Sequence, residues 1–174
     1  MRTTDLARLI RSCQHGDQKA LCELVRRFER PIYAYAARMA PRMAEDVCQE
    51  TFVRLFRALP RYRDEGRFRA WVFRLATSAL IDATRARKRR PVSLEPEIIA
   101  DPSPDPLAGL ERAEQLAELA EAVQGLPFDQ RQVVVLRTQS GLTFREIAEA
   151  LDAPLGTVLA RMHRAIVILR RKIH

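Results

Sequence analysis

The sequence predicts an all-α chain of two small helical domains joined by an irregular acidic tether. Four observations lead there. Apolar residues recur at three- and four-residue spacing over most of the chain, no long stretch alternates with period two, and glycine is scarce, at 6 of 174 residues. Five of the ten prolines (Pro91, Pro96, Pro102, Pro104, Pro106) fall in one segment, PVSLEPEIIADPSPDPLAGLER. Proline removes backbone donors and disfavours helix in the residue before it, so no regular element is predicted there. The boundaries read 1–90, 91–112 and 113–174. The last unit, about 60 residues, is only marginally stable by itself.

Asp17 can cap a helix whose apolar stripe is Leu21, Leu24, Val25, Phe28 and Ile32. A second stripe, Val47, Phe52, Leu55, Phe56 and Leu59, ends at Pro60. A third run, from Phe68 to about Arg87, places Val72, Leu75, Ala79 and Ile81–Ala83 between basic residues. The first domain then has three or four helices.

Near the C-terminus the pattern is a helix-turn-helix, LTFREIAEALDAPLGTVLARMHRAIVILRRKI. Thr143 and Glu146 have capping-box spacing, and Ile147, Ala148 and Leu151 face inward. Asp152 stands at the turn, where a left-handed backbone is needed, and Pro154 suits the first turn of the next helix. Val158, Met162, Ala165 and Leu169 form that helix's buried stripe. No acid follows Asp152, while Arg161, Arg164, Arg170, Arg171 and Lys172 do. This is how a recognition helix enters a major groove. Leu155, Thr157, Val158 and Arg161 are the base-reading candidates, and Arg164 a phosphate contact.

The net charge of +8 divides unevenly, as +11 over 1–90, −4 over 91–112 and +1 over 113–174. Excess positive charge points to nucleic acid. The linker can lie in a basic groove, repel phosphates or act as a plain tether. Nine of the eleven aromatic residues fall between Phe28 and Phe73. In PRYRDEGRFRAWVFR, rings alternate with Arg61, Arg63, Arg67, Arg69 and Arg74. Cations that follow phosphates beside rings that stack on exposed bases suit single-stranded DNA. Trp71 and Phe73 read as core, and Tyr62 with the Arg61–Arg67 loop as functional. The run RARKRR at the end of this helix suits duplex phosphates.

Other chemistry is excluded or unsupported. Asp46 and Glu50 lie four apart, but no His, third carboxylate or Lys completes a metal or acid–base site, so no catalysis, metal or cofactor is expected. With Glu45, Gln49 and Arg54 they form a protein-docking or merely solvated face. Phosphate-cradling glycine loops and hydrolase elbows are missing. Three cysteines without a CxxC give neither a disulfide framework nor a zinc site. No apolar run is long enough to span a membrane, and the charged N-terminus does not read as a secretory signal. A cytoplasmic location, with no membrane insertion, is expected.

Taken in order, these blocks resemble a bacterial sigma factor of the extracytoplasmic-function type, from about Asp17 to Arg171. AEDVCQETFVRLFRALPRYR is similar to the family's polymerase-docking helix. FRAWVFRLATSALIDATRARKRR is similar to its promoter-melting, minus-ten helix, with Asp82 in the usual Ile-Asp. GLTFREIAEALDAPLGTVLARMHRAIVILRR is similar to its minus-thirty-five helix-turn-helix, with Gly156-Thr157-Val158. The resemblance implies a sigma domain-two-like bundle and a sigma domain-four-like helix-turn-helix. It implies a promoter-specificity subunit that catalyses nothing. Glu45, Asp46, Gln49, Glu50 and Arg54 would meet the β′ clamp helices of core RNA polymerase, and the second domain the β flap. Arg61, Tyr62, Arg63 and Arg67 would capture a flipped minus-ten base, with Arg74, Ser78, Asp82 and Arg85 along the adjoining DNA. Thr143 would join Leu155, Thr157, Val158, Arg161 and Arg164 at the minus-thirty-five element. The linker would thread toward the active-site and RNA-exit channel.

The departures are Ser78 for a frequent Asn, Leu159-Ala160 for a Lys/Met-Ser, and Ile166-Val167-Ile168 where basic residues are common. These apolar residues offer a surface for an anti-sigma factor or another regulatory protein. A competing class, an autonomous helix-turn-helix regulator, leaves the aromatic loop and carboxylate helix unexplained.

Overall fold

The computed structural model describes residues 3–88 and 110–173, with no strand among them. Eight α-helices follow in order: α1 (Thr3–Gln14), α2 (Gln18–Met39), α3 (Ala44–Ala58), α4 (Phe68–Lys88), α5 (Leu110–Gln124), α6 (Phe128–Thr138), α7 (Phe144–Ala150) and α8 (Leu155–Ile173). Residues 91–109, most of the predicted tether, lie outside the described residues, as do Arg89 and Arg90 of the basic run.

The all-α class holds, and the local signals explain most helix starts. The Asp17 carboxylate accepts from the Lys19 and Ala20 amides at 2.8 and 3.2 Å and opens α2. Leu24, Phe28, Ile32 and Tyr35 recur along its buried face. Pro60 falls in a 3₁₀ turn, Leu59–Arg61, that closes α3. Two elements differ from the expectation. Helix α1 precedes the first predicted helix and buries Leu6, Leu9, Ile10 and Cys13, a plain i, i+3, i+4, i+7 stripe. Helix α5 begins at Leu110, inside the predicted tether, because Ala, Leu and Glu after Pro106 favour helix and no proline interrupts them.

Two core assignments need correction. Phe56 is 39% exposed, since α3 turns it away from α2 and α4. Phe73 is buried, whereas Trp71 is only half-buried and packs at the rim.

The two halves share one apolar core. Buried side chains run continuously from α1 to Val158 of α8, and helix α7 lies along α4 while α6 meets α2. A second, smaller cluster, Leu126, Val134 and Ala165, sits among α5, α6 and α8. Polar contacts also cross between the halves. Tyr35, fully buried, accepts from Gln132 Nε2 at 2.8 Å and shares a hydrogen bond with Thr77 at 3.1 Å. Gln124 Nε2 donates to the Arg38 carbonyl at 2.8 Å. Burial pushes the Tyr35 phenol up to about 12, against the two hydrogen bonds that lower it.

Candidate nucleic-acid interface

On α3 the residues Glu45 and Asp46 stand in the first turn, where a carboxylate complements the exposed backbone amides. With Gln49 they are exposed. Glu50 and Arg54 are not free in the same way. Arg54 Nε donates to Glu50 Oε1 at 2.8 Å, and Arg54 Nη1 donates to Ser78 Oγ and Asp82 Oδ2, both at 2.9 Å. The guanidinium is thus turned across to α4.

The loop after α3 is built to hold rings at its rim. Gln14 Nε2 donates to the Leu59 and Tyr62 carbonyls at 3.0 and 2.7 Å, so the end of α1 holds the loop's entry. Gly66 has φ +75°, and its amide donates to Asp64 Oδ1 at 3.0 Å, a local turn that glycine makes without strain. Tyr62 lies against Trp71 with centroids 4.4 Å apart and meets Phe68 edge-on at 5.2 Å. Beside them opens a groove of about 590 Å³ lined by Arg57, Ala58, Arg61, Tyr62, Arg63 and Trp71. Burial, with Asp64 and Glu65 nearby, pushes the Tyr62 phenol up to about 12.

At the entry and first turns of α4 the cations meet the other half of the molecule. Arg67 pairs with Glu149 at 3.3 Å and Arg74 with Asp152 at 3.7 Å. Arg69 Nη2 donates to the Ser140 carbonyl at 2.6 Å. Arg61, Arg63 and Arg85 are exposed.

The helix-turn-helix has the predicted joints. The Thr143 hydroxyl accepts from the Glu146 amide at 3.2 Å and Glu146 Oε2 accepts from the Thr143 amide at 2.7 Å, completing the capping box. Asp152 has φ 49°, and the Pro154 carbonyl accepts from Thr157 and Val158 at the start of α8. Three candidates change standing. Val158 is fully buried, so its side chain belongs to the core and cannot meet a base edge in this arrangement. Arg161 donates to Asp129 Oδ2 at 2.8 Å and is committed within its own half. Ile168 packs on the smaller cluster, which leaves only Ile166 and Val167 of that apolar trio exposed. Leu155, Leu159 and Arg164 are exposed, with Thr157 half-buried between them.

Sequence reasoning missed the Gln14 hold on the loop, the Arg54 link between α3 and α4, and the Arg161–Asp129 pair. Each joins residues at least 24 positions apart, so no local spacing reports it. Among the described residues no three His, Cys, Asp or Glu side chains are grouped to hold a metal ion, and no helix is long and apolar enough to cross a membrane.

Comparison with known proteins agrees with this layout. Residues 24–90 match the family model for Sigma-70 region 2, and residues 116–169 that for Sigma-70 region 4. The chain is 31% identical over 176 residues to the ECF RNA polymerase sigma-E factor of Escherichia coli strain K12, covering 95% of this chain and 92% of the relative. The same figures hold for the sigma-E factor of Salmonella typhimurium. It is 36% identical over 165 residues to the ECF sigma factor SigE of Mycolicibacterium smegmatis, covering 89% of this chain and 63% of that one. Among solved structures, the sigma factor RpoE from Bartonella quintana, in complex with the anti-sigma factor NepR, shares the fold. Its TM-score is 0.75 at 22% identity, covering 89% of this chain and 97% of that chain. CnrH, in complex with the cytosolic domain of CnrY, has TM-score 0.66 at 26% identity, covering 94% and 93%.

Proposed function

The chain belongs to the ECF sigma factors of RNA polymerase, transcription initiation factors that direct the polymerase to promoters, and from that premise we propose how its surfaces divide the work. Residues 1–90 act as the minus-ten and polymerase-binding domain, 91–112 as the linker and 113–174 as the minus-thirty-five domain. Glu45, Asp46, Gln49 and Glu50 dock on the β′ clamp helices of core polymerase, and the second domain on the β flap. Arg61, Tyr62, Arg63 and Arg67 capture a flipped base, and Arg74, Ser78, Asp82 and Arg85 follow the adjoining strand. Thr143, Leu155, Thr157, Arg161 and Arg164 read the minus-thirty-five element. An anti-sigma factor, the partner that the similar RpoE carries, covers the exposed apolar face of α8. The protein works in the cytoplasm without catalysis of its own.

The observation that carries the base-capture role is the Tyr62–Trp71 pair beside three arginines at an open groove. A flipped base finds a ring to stack on and cations for its phosphate. Binding of the unpaired base then pulls the opened duplex forward, which is melting by selection of the open form.

The closed packing of the two halves adds a requirement. The minus-ten and minus-thirty-five elements lie roughly 25 base pairs apart, about 85 Å of duplex at about 3.4 Å per pair. Helices α4 and α7 touch, so both elements are readable only after α7 leaves α4 and frees Arg67, Arg69 and Arg74. Core polymerase supplies the free energy for that separation.

The test is run-off transcription by core polymerase on a promoter library, with and without the full chain. Stimulation from a defined promoter set is expected. Absence of stimulation on every promoter would overturn the reading. Glu45→Lys with Asp46→Lys is expected to lower core affinity while helix content survives.

A further inference from the structure

Arg54 sits one helical turn after Glu50 on α3, yet its guanidinium spans to α4. Three of its N–H directions are spent on Glu50, Ser78 and Asp82 at 2.8 to 2.9 Å. Its side chain is 26% exposed, against 46% for Glu50 and 52% for Asp82. Ser78 and Asp82 are themselves one turn apart on α4, so a single planar fork fixes both side chains from the neighbouring helix.

We propose that Arg54 is a positioning residue that holds Ser78 and Asp82 on the promoter-facing side of α4, rather than a contact to polymerase. The inference rests on the assignment of α3 to polymerase and of α4 to the minus-ten strand. Two consequences follow from the chemistry. First, Asp82 is an anion on a surface that must approach phosphates, and the guanidinium 2.9 Å away offsets its charge while fixing its orientation. Without Arg54 the carboxylate is free to turn and repels the strand. Second, the same cation serves Glu50, on the polymerase side. A polymerase cation that draws Glu50 away from Arg54 leaves the guanidinium more fully committed to Asp82. Docking on α3 and reading on α4 are coupled through one side chain. Lysine cannot replace this, since a single ammonium cannot satisfy three acceptors on two helices in the same geometry.

The experiment uses holoenzyme assembled from core polymerase and the full chain carrying Arg54→Met, Asp82→Asn, or both. Methionine keeps an unbranched apolar stem in place of the arginine stem. The readouts are core affinity and the spectrum of promoters opened from a library randomised in the minus-ten element. For Arg54→Met, core affinity within about threefold of the parent is expected, as for loss of a partly exposed charge. Preference at one or more minus-ten positions shifts by roughly 5- to 10-fold, the lower end of the range of a base-discriminating contact, as for a residue that acts through others. Asp82→Asn removes the uncompensated charge, so the double variant recovers part of the opening lost in Arg54→Met. Ser78→Ala, which keeps both ion pairs, shifts the spectrum less and at the same positions. A tenfold loss of core affinity in Arg54→Met with an unchanged spectrum would overturn the proposal, and so would Asp82→Asn deepening the defect. Glu45→Lys is the separate control. If it leaves core affinity intact, the docking role of α3 fails, while the Arg54–Asp82 rescue is still read on the promoter spectrum.

Discussion

Helix α4 and helix α8 both present DNA-facing residues, but with different chemistry. Along α4 and its preceding loop these are arginines and rings. In the closed molecule Arg67, Arg69 and Arg74 are occupied by Glu149, the Ser140 carbonyl and Asp152 from the other half. At the start of α8 the exposed side chains are Leu155 and Leu159, with Arg161 tied to Asp129. Closure therefore engages part of the charged reader without covering it, since Arg67 and Arg74 stay 64% and 59% exposed, and leaves the apolar one unengaged. The acids that engage it belong to the helix-turn-helix itself, where they pair with cations that would meet phosphates. The exposed ion pairs add little, about 0–1 kcal/mol each. The buried apolar contacts, with the Gln132–Tyr35 and Gln124–Arg38 hydrogen bonds that cross between the halves, supply most of the closing free energy.

The contrast breaks most sharply at the rings. Tyr62→Ala removes a stacking partner for a captured base, an effect of roughly 1–3 kcal/mol. Open-complex formation by holoenzyme is expected to fall about 10- to 100-fold, with binding of minus-thirty-five duplex unchanged. Equal losses at both elements would mean that the two surfaces do not divide the work. Next comes closure. Gln132→Leu deprives the buried Tyr35 hydroxyl of its donor, which costs about 1–3 kcal/mol of the closed form. The free chain should then bind single-stranded minus-ten DNA up to about tenfold more tightly, with greater separation between fluorescent labels placed on α2 and α8.

The same hydroxyl gives a pH signature. Its pKa rises from 10 to about 12 on folding, so the folded state holds the proton longer than the unfolded chain. The associated stability is complete below pH 10 and is lost as the pH climbs through 12. At pH 11 the loss is ~1.4 kcal/mol. Urea midpoints of the parent should drop between pH 10 and 12. Tyr35→Phe should start lower and fall less, the remaining slope coming from Tyr62 and from the Cys48 thiol, which burial pushes up to about 11, with Cys13 raised in the same direction.

What was legible in the sequence follows a physical rule. Asp17, the Thr143–Glu146 box and the left-handed Asp152 are local devices, fixed within four residues, and all three stand where their chemistry required. The ring-and-arginine cluster was equally readable, because its members are contiguous. Phe56 was misplaced because a stripe drawn on one helix does not say how wide a face its neighbours cover. Val158 was counted both as core and as base reader, and only the packing of α8 on its own half decides between them. Nothing in the spacing of α4 and α7 announces that Arg74 meets Asp152 across 78 positions. Such pairings depend on how two complete domains meet, which periodicity does not encode.

The smallest effect tests the apolar reader on its own terms. Arg161 is the polar base-reading candidate most committed within the structure, because Asp129, in the first turn of α6, holds its guanidinium at 2.8 Å. A base edge must compete with that carboxylate, so the pair lowers the affinity of α8 for DNA while keeping Arg161 oriented. The pair is partly exposed and worth ~0.2–1 kcal/mol. Asp129→Ala should therefore raise affinity for minus-thirty-five duplex by no more than about fivefold, with a steeper salt dependence as one more free cation meets the phosphates. If discrimination among minus-thirty-five sequences also falls, Asp129 serves to aim Arg161 at a base. If affinity rises and discrimination stays, Leu155, Thr157 and Leu159 carry the readout through contact with thymine methyls, and α8 differs from α4 as sharply as its composition implies.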